Sequence, residues 1–216
     1  IVVDGVAFDS PFFSPDVARR AARALGIPLQ VVNFTPDIIR LIQAPPHGFG
    51  SCLNPCIDCH ATMLKRAGDM LDEHGYQFLV TGEVLNERPM SQNRRSLEVV
   101  AGASGYADRI VRPLSAQLLP PTEPERRGWV DRSRLLALQG RGRKEQMRLA
   151  EHYGLTDYPS PAGGCRLTEP NFCRRLQDLK DHEGLIGERS LMLLRIGRHF
   201  RISERMKVII GRNEKD

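Results

Sequence analysis

The pattern of apolar and polar positions opens with two apolar runs that flank a helical stretch. Residues 1–8 and 29–34 are rich in β-branched and apolar residues, Ser14-Pro15-Asp16 has the composition of a helix start, and Gly26 can stop that helix. A strand, a helix and a strand at this spacing are typical of a βαβ unit with parallel strands. We therefore predict a right-handed βαβ unit at the beginning of the chain.

The same alternation continues through the middle of the chain. Apolar positions at helical spacing predict a helix over 58–74 that ends at Gly75, and short apolar runs predict strands at 78–81 and 110–111. Strands that alternate with helices favour an α/β fold, an open parallel sheet with helices on both faces.

The composition changes after the first 119 residues, which we assign to the α/β domain. Residues 120–185 form a basic segment that we expect to be helical and to contain a loop with Cys165 that completes the site. Residues 186–216 have the pattern of a small C-terminal β extension, with strands expected at 192–196 and 207–210.

Length and charge narrow the class of protein. The chain has 216 residues, 41% of them hydrophobic, which is enough for an ordinary core, and no run approaches the ~20 apolar residues that cross a bilayer. We expect a cytoplasmic protein with no membrane partner. A formal net charge of +5 favours a polyanionic partner. The chain opens with Ile1 instead of Met, so we expect an upstream segment.

Cys56 and Cys59 stand in C-x-x-C spacing at the start of a predicted helix. This spacing lets two thiolates reach one metal or cluster, and the positive end of the helix favours the thiolate form. The pair by itself is compatible with half of a zinc site, with a redox dithiol, or with two ligands of an iron–sulfur cluster.

A third cysteine, Cys165, follows two glycines that would let backbone approach a bulky inorganic group. Structural zinc usually takes four protein ligands, so this site would need His60 as the fourth. A [4Fe-4S] cluster on three cysteines leaves one iron open to an external sulfur, and we favour this interpretation. Thiols that act as a persulfide or disulfide without a cluster remain an alternative. Cys52 and Cys173 are expected to be bystanders.

Five motifs in order carry a resemblance to a known family. They are Asn54-Pro55-Cys56-x-x-Cys59, Thr81-Gly82-Glu83-Val84-Leu85, Ser91-Gln92, Arg112-Pro113-Leu114 and Gly163-Gly164-Cys165. Together they resemble the PP-loop ATP pyrophosphatase domain of tRNA thiouridine synthases, in particular the iron–sulfur-dependent 4-thiouridine synthases.

The resemblance implies that ATP with Mg2+ adenylates a uridine carbonyl of tRNA, after which sulfur displaces AMP and leaves 4-thiouridine or 2-thiouridine. The sulfur would come from sulfide or from a cysteine desulfurase, and whether the enzyme is a homodimer stays open. Cys56 and Cys165 are the implied catalytic residues, and Cys56, Cys59 and Cys165 the implied cluster ligands.

The resemblance also implies a nucleotide site. Phe8 and Ser10 would lie on its adenine side, Lys65 would reach the phosphates, and Gly82 would let backbone approach the nucleotide, with Glu83 and Gln92 nearby. A helical lysine is usually solvated, however, and Gly82 could simply end a strand. The family's Ser-Gly-Gly-x-Asp-Ser loop is not found in these residues. Family order places that loop before Ile1, and we expect it there.

The densest positive stretch runs from Arg126 to Arg148 and is interrupted by Trp129. Arginine and lysine clusters bind phosphates, and an aromatic side chain can stack on a splayed base. Arg141, Arg143 and Lys144, in a glycine-containing loop, are the predicted RNA-binding residues. The alternative is a solvated helix face with Trp129 in the core.

Two other functions are compatible with these residues. One is an ATP-using PP-loop enzyme that thiolates or amidates a small molecule. The other is a zinc-bound RNA-binding module without catalysis.

Overall fold

The elements of the computed structural model alternate between helices and strands, and the structure describes residues 1–158, 164–184 and 187–214. In chain order the helices and strands are β1 (Gly5–Asp9), α1 (Asp16–Leu25), β2 (Leu29–Asn33), α2 (Thr35–Gln43), α3 (Cys56–His74), β3 (Leu79–Val80), α4 (Arg94–Ser104), β4 (Ile110–Val111), α5 (Glu123–Arg126), α6 (Lys144–His152), α7 (Pro170–Glu183), α8 (Gly187–Leu193), β5 (Arg198–Ser203) and β6 (Met206–Ile210). Gly163, part of the glycine-glycine-cysteine motif, lies outside the described residues.

The predicted α/β fold is confirmed in its coarse form, since helices alternate with short pairs of parallel strands. Within the described residues the strands pair two by two: β1 with β2 and β3 with β4 are parallel, and β5 with β6 is antiparallel. The chain divides into two compact units, a first unit of residues 1–54 and 158–216 and a second unit of residues 55–157. In the described ranges, no helix is both long and apolar enough to span a membrane.

The first unit begins with the predicted βαβ arrangement. Strands β1 and β2 run parallel, from Gly5 opposite Leu29 to Asp9 opposite Asn33. Between them, α1 ends at Gly26, as predicted. This glycine adopts a left-handed conformation with φ 65°. Parallel neighbours need such a crossover helix, so this part of the fold follows directly from the order of the patterns.

Helix α2 was not predicted from the sequence. It follows β2 almost without a linker, and the side chain of Asn33 accepts a hydrogen bond from the Thr35 backbone at 2.9 Å where the helix begins. Ile38 and Ile42, one turn apart, are fully buried and supply the apolar face that holds it in place.

The core of the first unit joins both of its chain segments. Phe12 packs edge-on against Phe172 of α7 with ring centroids 5.9 Å apart, and both rings are buried. The backbone N–H of Arg166 donates to the Phe12 carbonyl at 3.0 Å. These contacts fix the segment that carries Cys165 next to the end of β1.

The strand predicted at 192–196 is wrong. Most of that run belongs to α8 and the turn that follows, and the partner of β6 is β5 instead. A short apolar run cannot be assigned to helix or strand by its period alone. Leu191 and Leu194, three residues apart, are both buried, which is helical spacing.

The second unit is built on the packing of α3 against α4 and the loop after α4. A side chain at Gly68 would collide with the Tyr106 ring, since a Cβ there would lie 2.2 Å from it. Helix α3 spans 19 residues and begins at Cys56, two residues earlier than predicted, so the C-x-x-C pair lies inside its first turn. It ends at Gly75, as predicted, with φ 75°.

Helix α4 was also missed by the sequence analysis. Asn93 caps it by accepting a hydrogen bond from the Ser96 backbone at 2.9 Å, and Leu97 and Val100 are buried beneath it. The helix returns the chain to β4, which pairs in parallel with β3 as the short apolar runs indicate.

Candidate active site

The C-x-x-C pair occupies the first turn of α3. Residues three apart on a helix lie on one face, so Cys56 and Cys59 project to the same side. Cys56 is half-buried, Cys59 is buried, and neither forms a disulfide. The unsatisfied N–H groups of a helix start favour negative charge, which lowers the free energy of the thiolate form.

A buried carboxylate ties this helix to the loop that follows β3. Glu83 is only 7% exposed, and its Oε1 lies 3.1 Å from Nδ1 of His60, the residue directly after Cys59. Its Oε2 accepts hydrogen bonds from Arg112 Nε at 2.8 Å and from Thr81 Oγ1 at 3.1 Å. Three segments distant in sequence, the start of α3, the end of β3 and the residue after β4, therefore meet at Glu83.

The charge state of Glu83 follows from these contacts. Burial disfavours its ionised form, but the hydrogen bond with His60 and the positive charge of Arg112 outweigh burial and lower the pKa of Glu83 from 4.5 to about 2. Glu83 is thus a carboxylate at neutral pH. It fixes His60 and Arg112 in place and does not serve as a proton donor.

Three buried polar atoms of this unit have no hydrogen-bond partner within the described residues. They are Nη2 of Arg112, whose Nε is held by Glu83, Oε1 of Gln92 and Oε1 of Gln146. Buried polar groups are normally paired, because an unsatisfied one costs about 1–3 kcal/mol. Each of these atoms can therefore still form a hydrogen bond with a group from outside the protein.

Ser115 joins the loop after β3 to the basic segment. Its buried hydroxyl accepts a hydrogen bond from the Leu85 backbone at 2.9 Å and donates one to the Leu138 carbonyl at 2.7 Å. The Gly140 backbone N–H then donates to the Leu85 carbonyl at 2.7 Å. The glycine- and arginine-rich loop therefore begins at a contact with Leu85, which lies two residues after Glu83 in the chain.

The three predicted RNA-binding residues differ in their surroundings. Arg143 is half-buried and pairs with Glu87 at 2.9 Å, so it anchors the loop as well as carrying charge. Arg141 and Lys144 are exposed, and neither makes an ion pair in the part of the chain that the structure describes. The positive charges of Arg141 and Lys144 therefore face solvent.

Much of the remaining positive charge in this segment is balanced locally. Ion pairs join Arg126 with Asp108, Arg127 with Glu123, Arg132 with Glu125, and Arg148 with Glu145. Trp129 is 40% exposed and lies under the guanidinium of Arg127, whose Cζ is 5.0 Å from the ring centroid. The alternative that places Trp129 in the core is therefore wrong.

Lys65 does not join the Glu83 cluster. Its Nζ pairs with Asp69 at 3.0 Å, and it lines a surface hollow of about 540 Å³ with Asp72, Tyr106 and Arg109. Glu83 and Gln92 do not line this hollow. The structure thus separates Lys65 from the other nucleotide-site residues that the resemblance implies for this unit.

Gly82 directly precedes Glu83, and Gln92 lies at the end of the loop that follows it. The Asn86 backbone N–H donates to the Gln92 carbonyl at 2.7 Å and closes the loop, and Gln92 is buried. A Cβ at Gly82 would meet no atom within 4 Å, so the protein's own packing does not require glycine there.

Phe8, Ser10 and Cys165 belong to the first unit. Phe8 is half-buried and packs on Phe34 at 5.3 Å, and the buried hydroxyl of Ser10 accepts from the Phe12 backbone at 3.2 Å. Half-buried Cys165 precedes a 3₁₀ turn, where its carbonyl accepts a hydrogen bond from the Thr168 hydroxyl at 2.7 Å. Phe12 contacts both segments, which brings Ser10 and Cys165 into one region of this unit.

The predicted cluster ligands are divided between the units, with Cys56 and Cys59 in the second and Cys165 in the first. Within residues 1–158, 164–184 and 187–214, no group of three or more His, Cys, Asp or Glu side chains is arranged to hold a metal ion. The thiol pair itself fits the ligand type of an iron–sulfur cluster, because both sulfurs lie in one helix turn that favours thiolates.

The network around Glu83 was not found by sequence reasoning, although Glu83 itself was singled out. Arg112 and His60 lie 29 and 23 residues away in sequence, and no periodic pattern links them to Glu83. The polar residues of the Thr-Gly-Glu and Arg-Pro-Leu motifs were the available signal. In comparisons with known proteins, no family model matches the chain and no curated protein matches it.

Proposed function

We propose that this protein is an ATP-dependent tRNA sulfurtransferase with a PP-loop type of α/β fold, acting in the cytoplasm. The observation that carries the proposal is that two of the resembling motifs, and the residue directly after a third, meet at Glu83. His60 follows the C-x-x-C cysteines, Glu83 belongs to the Thr-Gly-Glu motif, and Arg112 opens the Arg-Pro-Leu motif. Motifs that occur in the order of the family and also contact one another in the structure support the resemblance more strongly than motifs that only occur in that order.

The proposed reaction has two steps. The carbonyl oxygen of a tRNA uridine attacks the α-phosphorus of ATP, with Mg2+ bound to the phosphates, and pyrophosphate leaves. Sulfur then adds to the activated carbon and AMP departs with the oxygen, because an oxygen esterified to phosphate is a much better leaving group than the carbonyl oxygen itself. ATP would bind outside the carboxyl ends of the parallel strands, as ligands do in open α/β sheets.

Cys56, Cys59 and Cys165 are the proposed ligands of a [4Fe-4S] cluster. When bound, such a cluster supplies an iron without a protein ligand that can hold an external sulfide as a nucleophile. The chain's own contribution is to orient the thiols. The hydrogen bond between His60 and Glu83 fixes the first turn of α3, and the helix start favours thiolate at Cys56 and Cys59.

The exposed charges of Arg141 and Lys144 support a tRNA substrate. Arg141 directly follows Gly140, and Lys144 lies three residues further on. The Gly140 backbone N–H donates to the carbonyl of Leu85, two residues from Glu83. Phosphate contacts of this kind release counterions, so binding should weaken steeply as salt rises. A small-molecule substrate would show weak salt dependence, which separates this proposal from an enzyme that thiolates or amidates a metabolite.

A zinc-bound RNA-binding module without catalysis is the second candidate, and the orientation of His60 favours it. A metal-binding histidine usually gives its other ring nitrogen to a carboxylate, and Glu83 holds Nδ1 of His60 in that manner. His60 would then join Cys56, Cys59 and Cys165 as the fourth ligand. Zinc without iron or acid-labile sulfide in the purified protein would select this candidate.

The test is ATP-dependent thiolation of tRNA. The full-length protein, reconstituted anaerobically, is incubated with unmodified tRNA, sulfide and ATP, and the nucleosides are then analysed by mass spectrometry. We expect 4-thiouridine or 2-thiouridine that disappears when ATP is omitted or when Cys56 is changed to Ser. The matched control is Cys52→Ser, which should retain the product. Tight tRNA binding without any thiolated nucleoside would contradict the proposal.

A further inference from the structure

Glu87 lies in the loop after β3, and residues at the beginning of α6 hold its carboxylate. Oε1 of Glu87 lies 2.9 Å from Nη2 of Arg143, and Oε2 accepts a hydrogen bond from Nε2 of Gln146 at 3.3 Å. Only 12% of the Glu87 side chain is exposed, against 32% of the Arg143 side chain. The carboxylate is therefore seated between two donors and is not a solvated surface charge.

The backbone around Glu87 fixes it in this position. The Glu87 N–H donates to the Val84 carbonyl at 3.1 Å, and the Asn86 N–H donates to the Gln92 carbonyl at 2.7 Å. Asn86 has a φ of 62°, in the left-handed region that asparagine tolerates better than most residues. The loop thus turns sharply just before Glu87, and from there the Glu87 side chain reaches α6.

The position that Glu87 occupies has the properties of a phosphate site. A carboxylate and a backbone phosphate of RNA each carry one negative charge on two free oxygens, and a guanidinium binds either of them well. Arg141 and Lys144, both exposed, lie on either side of Arg143 in the chain. Arg143 directly precedes α6, whose first turn is not capped by a side chain in the described residues and so also favours an anion.

We infer that Glu87 fills a phosphate site in the free protein, and that a backbone phosphate of tRNA displaces it from Arg143 and Gln146. This role of Glu87 rests on the tRNA substrate of the proposed function but not on sulfur transfer.

The tRNA has an advantage over Glu87 at this site. Glu87 brings a single charge, whereas a phosphate of the tRNA backbone comes with neighbouring phosphates that can reach Arg141 and Lys144 at the same time. The exchange breaks the contacts through which Glu87 joins its loop to α6. Binding of tRNA is thereby coupled to the loop that begins at Glu83.

Glu87 competes with the tRNA, so its removal should tighten binding. Glu87→Gln keeps the size of the side chain and removes its charge. A partly exposed ion pair is worth up to about fivefold in an equilibrium constant, so we expect a Kd for tRNA about fivefold lower. The slope of log K against log salt should steepen by about 1, because Arg143 no longer has an internal counterion. Removal of a residue that only stabilised the loop would leave tRNA affinity unchanged or weaken it.

The experiment measures the fluorescence anisotropy of a labelled, unmodified tRNA transcript with the full-length protein at several salt concentrations. The matched control is Glu151→Gln, which removes the same charge from an exposed position of α6 that makes no ion pair within the described residues. The gain from Glu87→Gln should exceed the gain from this control. In an Arg143→Gln background, Glu87→Gln should give no larger gain than Glu151→Gln. Circular dichroism verifies that each variant is folded.

The role of Glu87 alone is overturned if Glu87→Gln binds tRNA no more tightly than Glu151→Gln, or if its gain persists in full without Arg143. If none of the proteins binds tRNA, this role falls together with the tRNA substrate. A fivefold gain in a protein that forms no thiolated nucleoside would support the role of Glu87 and contradict sulfur transfer only.

Inorganic phosphate, added at constant ionic strength, separates the two sources of phosphate. We expect it to compete weakly with tRNA, because an isolated phosphate has no neighbours that reach Arg141 and Lys144. Strong competition would assign the site to free phosphate and overturn the exchange with tRNA.

Discussion

Replacement of Glu83 by glutamine tests the buried ionic cluster that organises the candidate site. Glutamine keeps the shape of the side chain but removes its charge, so Arg112 keeps a buried positive charge without a counterion. The pKa of Glu83, lowered from 4.5 to about 2, is a difference of about 2.5 pH units and corresponds to about 3 kcal/mol of stability. Loss of one partner of a buried ion pair typically costs about 3–5 kcal/mol, which agrees.

The pH dependence of this effect has a definite sign. A carboxyl group whose pKa is lower in the folded state stabilises the fold at pH values above its unfolded pKa, and that contribution is lost as the pH falls. For Glu83 the window runs from about 4.5 down to about 2. The free energies of unfolding of wild type and Glu83→Gln should therefore differ by about 3 kcal/mol at pH 7 and converge toward pH 2.

Urea unfolding followed by circular dichroism between pH 7 and pH 3 measures this difference. The matched control is Glu145→Gln, which removes the same charge from an exposed pair with Arg148 and should change stability by less than about 0.5 kcal/mol. The reasoning is refuted if Glu83→Gln unfolds within about 0.5 kcal/mol of the wild type at pH 7. A difference that stays constant with pH would also refute it.

Three further experiments with substituted proteins test other parts of the structure. Ser115→Ala should lower the free energy of unfolding by about 2 kcal/mol, measured by urea denaturation, because two backbone groups lose their buried hydroxyl partner. Gly68→Ala should cost about 1–3 kcal/mol in the same assay, since its Cβ would lie 2.2 Å from an aromatic ring, whereas Gly102→Ala in α4, with no atom within 4 Å, should stabilise slightly. Neutralising Arg141 and Lys144 together should reduce the slope of log K against log salt for tRNA binding by about 2, and an unchanged slope would remove them from the interface.

The parts of the fold that the sequence predicts well are those with a start, a stop and a consistent period. The βαβ unit and α3 are of this kind, because Gly26 and Gly75 mark the two helix ends. Helices α2 and α4 were missed since α2 follows β2 directly and α4 carries polar and glycine residues along much of its length. Buried apolar residues hold both helices in place, and Asn93 also caps α4, contacts that only the tertiary structure reveals.

The candidate site shows a similar division. The C-x-x-C pair can be recognised in the sequence, because its two cysteines are only three residues apart. The structure places both in one helix turn. The partners of Glu83 are not visible, because a buried ion pair leaves no periodic trace in the sequence. Lys65, inferred by resemblance, instead pairs with Asp69, which a spacing of four residues on a helix surface allows.

The most direct test of the proposed three-cysteine site is the iron and acid-labile sulfide content of the full-length protein, purified without oxygen. The predicted result is about four irons and four sulfides per chain, lost when Cys165 is changed to Ser and retained when Cys173 is changed to Ser. A wild-type protein that carries no iron, or a Cys165→Ser variant that keeps its full iron and sulfide, would contradict it.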